Sequence, residues 1–192
     1  MNVVADRIAR RAAALMASGQ EVDIDRAIRI AAETMGFLRD APLPSEGLVR
    51  RHLQGMAQEA MGKEGYDELV DETLGLAAEV MEMLERAFGA TTLLAGRGAR
   101  GQFDGGAELH IRLYARAELA AIAQLLVDAG FEEPTFETVT TTHGRADRVR
   151  TTIDGVAVMV LRCLPEWWSD RSHDLVTGKA TAVQTLEQLR KR

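Results

Sequence analysis

Glu108 and His110 stand two residues apart in the run ELHIRLY, whose alternating character marks a β-strand over 108–114. Residues at i and i+2 of a strand share a face, so this carboxylate and this imidazole project together. Two chemistries follow. With His143 as a third ligand, the pair could hold a transition ion such as zinc or manganese. Alternatively, His110 only fills the face and hydrogen-bonds to Glu108. Just upstream lies a turn rich in glycine and arginine: Gly96, Arg97, Gly98, Arg100 and Gly101, then Asp104, Gly105 and Gly106. The glycines give the backbone freedom to approach a ligand closely, and Arg97 and Arg100 offer forked donors suited to phosphate. A second set of cations, Arg145, Arg148 and Arg150 with Arg112 and Arg116, reads either as an anion clamp or as solvated strand faces paired with Glu137 or Asp147.

The elements that must position these groups change character near Gly89. Before it the apolar residues recur at helical spacing. A helix is expected over 3–17, ended by Ser18-Gly19, and a second is capped by Asp23 or Asp25. Pro42 and Pro44 break the chain. Ser45 then caps a third helix bearing Leu48, Leu53, Met56 and Met61, and a fourth spans 66–88. After Gly89 the period becomes 2. Strands are expected over 91–95, 108–114, 136–142, 148–153 and 156–164, with a helix over 117–129 and a hairpin turn at Asp154-Gly155. The tail carries Trp167-Trp168, which should anchor it to the core, and a last helix from about residue 181. The natural division is a helical region, 1–64, and an α/β region, 65–192.

The stretch 91–114, TTLLAGRGARGQFDGGAELHIRLY, resembles the signature of the nucleotidyltransferase fold shared by polymerase-β-like enzymes. The order of elements over 66–164 is similar too: helix, strand, Gly-rich turn, strand, helix, strand hairpin. The resemblance implies an α+β protein with a nucleotidyltransferase-like mixed sheet, preceded by an all-α region. In active members a strand ends in Gly-Ser, the following turn and its exposed amides hold a triphosphate, and the next strand carries Asp-x-Asp. A third carboxylate from a neighbouring strand completes a two-metal site for in-line phosphoryl transfer. Here Gly-Ser is Gly96-Arg97, Asp-x-Asp is Glu108-Leu109-His110, and the third position is Met159. Imidazole is a poor ligand for magnesium and a thioether cannot hold a hard cation. The resemblance therefore implies a framework without its usual catalysis, retaining an anion or nucleotide site at Gly96, Arg97, Gly98, Arg100 and Gly101. Magnesium and a nucleoside triphosphate belong only to the rival reading, an active transferase built on Glu108 with rearranged ligands.

Composition bounds the remaining choices. The chain has 192 residues, 46% apolar and 27% charged, with net charge -6. An acidic protein of this kind is not expected to attract nucleic acid broadly. Cys163 is the only cysteine, so no internal disulfide forms, and its place among apolar residues points to a buried thiol. No apolar run is long enough to cross a bilayer, and the amino terminus lacks the continuous apolar core of a secretory signal, so a bacterial-type cytoplasm is expected. His52 and His173 are expected at the surface. A third role, as a structural or interaction protein, would use the Met-rich helical half to contact a protein partner or a second copy.

Overall fold

The computed structural model describes residues 2–37, 41–104 and 106–192. Gly105, one of the glycines of the candidate turn, lies outside them. The chain divides into two compact units, Met1–Asp67 and Glu68–Arg192.

In the first unit, α1 (Val3–Ala17) begins where the Asn2 side chain accepts from the Val4 and Ala5 amides, and it stops at Ser18. Helix α2 (Ile24–Thr34) is capped by Asp23, whose carboxylate accepts from the Arg26 amide at 2.7 Å. That resolves the choice between Asp23 and Asp25. A cluster of small and branched residues, Ile8, Ala9, Ala12, Ala13, Ala27, Ile28, Ala31 and Ala32, closes between these helices with Val49 and Leu53. The alanines let the two backbones approach closely, where larger side chains would hold them apart. His52 is not the surface residue expected: its side chain is only 20% exposed, and its Nε2 lies 3.0 Å from Asp6 Oδ1.

The expected third and fourth helices are both present, on either side of a kink at Gly62 within the run α3 (Glu46–Phe88). Gly62 has φ 73 and ψ 170, a conformation that L side chains rarely adopt. Nothing in the flanking residues (no proline, no cluster of turn formers) breaks the helical pattern further.

The second unit is α+β. Its strands are β1 (Thr91–Ala95), β2 (Glu108–Tyr114), β3 (Thr135–Thr141), β4 (Gly144–Ile153), β5 (Val156–Cys163) and β6 (Val183–Gln184). They form one mixed sheet in the order β3-β4-β5-β2-β1-β6, in which only β2 and β5 pair in parallel. Strand β4 starts four residues earlier than expected, because Thr142-His143 forms a two-residue turn that extends the pairing with β3. Alternation assigns the faces. Leu94, Leu109, Ile111, Leu113, Val149, Val158 and Val160 point to one side. There they bury against Ala77, Val80, Met81 and Leu84 of α3 and against Ile122 and Leu126 of α4 (Leu119–Asp128). The expected tail helix starts five residues later than expected, as α5 (Leu186–Arg190). Before it, Val183 pairs with Ala95, and Thr185 with Gln188 forms a reciprocal capping box that fixes the helix start.

Candidate functional site

The open face of the sheet, opposite the helices, carries the chemistry. Register places its side chains in rows that cross the strands. One row runs Ala95, His110, Met159, Arg150, Thr135; the next runs Leu93, Arg112, Leu161, Arg148, Glu137. His110 and Met159, 49 residues apart in sequence, are thus direct neighbours across the parallel β2–β5 pair. Glu108 precedes His110 on the same face, and its Oε2 lies 3.5 Å from His110 Nε2. Both side chains remain open to solvent, at 43% and 46% exposure, whereas Met159 is buried in the row between His110 and Arg150.

His143 does not join them. It sits in the β3–β4 turn, stacked on Trp167 with centroids 4.8 Å apart, and its Nε2 lies 3.0 Å from Asp170 Oδ2. Among the described residues no group of three or more His, Cys, Asp or Glu side chains is placed to hold a metal ion. The Glu108–His110–His143 ligand set is therefore not assembled. Three other carboxylates near the turn and sheet are engaged elsewhere. Asp104 pairs with Arg97 at 3.5 Å, and Glu137 pairs with Arg148 and Arg150. Asp147 accepts from Arg162 Nη2 at 3.0 Å and from the Thr138 hydroxyl at 2.9 Å.

The Gly/Arg turn is built into the fold. Its residues Gly98–Arg100 form a 3-10 turn against β1 and β2. The amides of Gly96, Arg100, Gly101 and Gln102 donate to Ala182, Arg97, Gly98 and Arg97 carbonyls, so these four are turned inward. Gly98 is buried, and a Cβ there would meet the Glu108 carbonyl, Leu94 and Leu109 at ordinary contact distances of 3.5–3.7 Å. Gly101 has φ 65, and a Cβ would lie 3.1 Å from Val70 Cγ1. Arg100 is exposed. The exposed amides expected of this turn are thus in large part internal hydrogen bonds.

The tail covers the other end of the open face. Trp168 meets Tyr114 edge-on at 4.9 Å, Leu175 packs with Leu93, Tyr114 and Cys163, and Arg171 lies over the Trp168 ring. Arg112 is buried beneath, donating to the Arg171 carbonyl at 3.0 Å. Burial pushes the Cys163 thiol up to about 12, with the Arg112 charge opposing, so this sulfur stays protonated and inert. Burial likewise raises the Tyr114 phenol. The tryptophans anchor the tail, as their spacing predicts. The coverage itself carries no local signal, because it depends on contacts between residues some 60 positions apart (Arg112 and Arg171).

No protein-family model matches this sequence, and no curated protein matches it.

Proposed function

We propose that the Glu68–Arg192 unit is a degenerate nucleotidyltransferase-like domain that binds the phosphates of a nucleotide, or a related anion, without two-metal transfer. One observation carries the reading: the positions that the resemblance assigns to metal carboxylates are Glu108, His110 and Met159, and the residue beyond the thioether in the same row is Arg150. Where three acids would draw a divalent cation, this face has an imidazole, a thioether and the Arg150 guanidinium, with Glu108 beside the imidazole and Glu137 shared between Arg150 and Arg148. That balance favours an anion over a hard cation. Arg100, exposed on the adjoining turn, supplies a further cation.

Titration calorimetry of the intact chain with ATP, GTP, CTP and UTP, each with magnesium, tests it. Binding of at least one triphosphate is expected, weakened about tenfold in Arg150→Ala or Arg100→Ala, as loss of a charge-assisted contact implies. No heat and no thermal stabilisation with any of the four would remove the proposal and leave a structural role. The rival reading, transfer by a rearranged site, is favoured by the retained acid at Glu108. It requires that Glu108→Ala abolish label transfer from a nucleoside triphosphate, and equal behaviour of variant and wild type ends it.

A further inference from the structure

The sheet has one long edge, β3, which is terminal in the strand order and along which no other strand of the described residues runs. Its sequence, TFETVTT, is dominated by β-branched residues and contains no proline or lysine. Natural edge strands usually carry such residues, or a bulge, to discourage pairing. Its one charge, Glu137, is held by Arg148 and Arg150 of its own sheet. Phe136, by contrast, is 57% exposed.

The hydrogen-bond phase of this edge follows from the turn. Thr142-His143 is a two-residue loop closing on the Thr141–Gly144 pair. The closing pair of such a loop exchanges hydrogen bonds, and bonded pairs then alternate along the ladder. Thr135, Glu137, Val139 and Thr141 therefore turn their amides and carbonyls toward β4, while Phe136, Thr138 and Thr140 turn theirs outward. The next member of the outward series, the Thr142 amide, donates to the Leu175 carbonyl at 2.7 Å. The tail thus caps the edge at one end and leaves 136–140 for another strand.

We propose that β3 pairs antiparallel with β3 of a second copy of this chain, about a two-fold axis through Thr138, joining two sheets into one. Three features select this partner and this register. Paired residue numbers sum to 276, so Phe136 faces Thr140 of the other copy and each outward amide meets an outward carbonyl. The ladder ends cleanly, since the residue opposite Thr142 is Pro134, which has no amide, and the Thr142 amide is already bonded within its own chain. Charge is compatible as well. An axis at Glu137 would oppose two carboxylates, whereas the axis at Thr138 sets Glu137 opposite Val139. On the opposite face Phe136 comes beside Thr140 of the other copy, whose own cross-strand neighbour is the exposed Arg145, long enough to reach the ring.

Light scattering of the full chain across micromolar concentrations reads the assembly. A dimer is expected. Thr138→Pro removes an outward amide and spares the backbone bonds of the β3–β4 ladder, at the loss of the Thr138–Asp147 side-chain bond, and Phe136→Lys places a charge at the seam. Each should raise the dimer dissociation constant at least about tenfold while circular dichroism stays native. Thr138→Cys should cross-link under mild oxidation, because hydrogen-bonded antiparallel partners have Cα atoms about 5.5 Å apart, within disulfide range. Native Cys163 is buried and gives no background. A strict monomer, a dimer indifferent to both Thr138→Pro and Phe136→Lys, or a dimer in which Thr138→Cys never cross-links would each overturn the pairing.

Discussion

Asp174 shows how a single carboxylate fixes the tail. Its Oδ1 accepts from the Val176 amide at 3.1 Å, the Thr177 amide at 2.6 Å and the Thr177 hydroxyl at 2.8 Å. Burial opposes ionisation, but these bonds and the nearby Arg112 charge outweigh it, so the carboxyl sits below its ordinary value near 3.8. A depressed folded value means the stabilisation is fully present above the ordinary value and disappears as pH falls through the folded one. Asp174→Asn should therefore cost about 1 kcal/mol at pH 7, since solvent screens these bonds to a charged acceptor, and markedly less near pH 3. Thermal melts of both proteins at the two pH values check this; an equal cost at both would show that charge plays no part. At this same scale the sequence was informative about Cys163 and the tryptophans, whose apolar neighbours and bulk leave few options. It was uninformative about Asp174, Asp170 and His143, because a hydrogen-bond partner across the fold leaves no mark on local spacing.

Among the elements, the Gly/Arg turn shows why a motif can be legible while its use is not. Gly101 combines a left-handed backbone with a close neighbour, Val70. Gly101→Ala should destabilise the protein by about 1–2 kcal/mol through both terms, read as a lower urea midpoint. An unchanged midpoint would mean the turn relaxes freely and its glycines serve a ligand alone. The glycines and arginines are visible in the sequence, but the inward amides and the Arg97–Asp104 pair are not. Element type was read most securely where period and punctuation agree, as in α1 and in the β4–β5 hairpin at Asp154-Gly155. It was missed where they are weak. Thr142-His143 lacks the Asn-Gly or Asp-Gly signal of a hairpin, and only Gly144 behind it, with φ 103, hints at the tight return. In the tail, a two-residue strand such as β6 is too short to show any period.

For the whole molecule, apolar periodicity locates the cores and leaves strand order undetermined. Each unit closes its own apolar cluster, one among the alanines of α1 and α2, the other between the sheet and its helices. Ile111 is fully buried at the middle of β2. Ile111→Ala should cost about 2–5 kcal/mol by transfer and cavity terms. Hydrogen exchange should show the lost protection in β1, β2 and β5, while amides of α1 and α2 keep theirs if the two clusters open separately. Loss spread evenly over both would show a single cooperative unit. The neighbours of β2 are the part no pattern announces: β1 follows from a local turn, but β5 joins it only after α4 and the β3–β4 hairpin have intervened. That parallel join has a consequence for synthesis. As the chain leaves the ribosome, the middle strand waits with one side bare until the residues through Cys163 have emerged, and during that interval a chaperone or a neighbouring nascent chain competes for it.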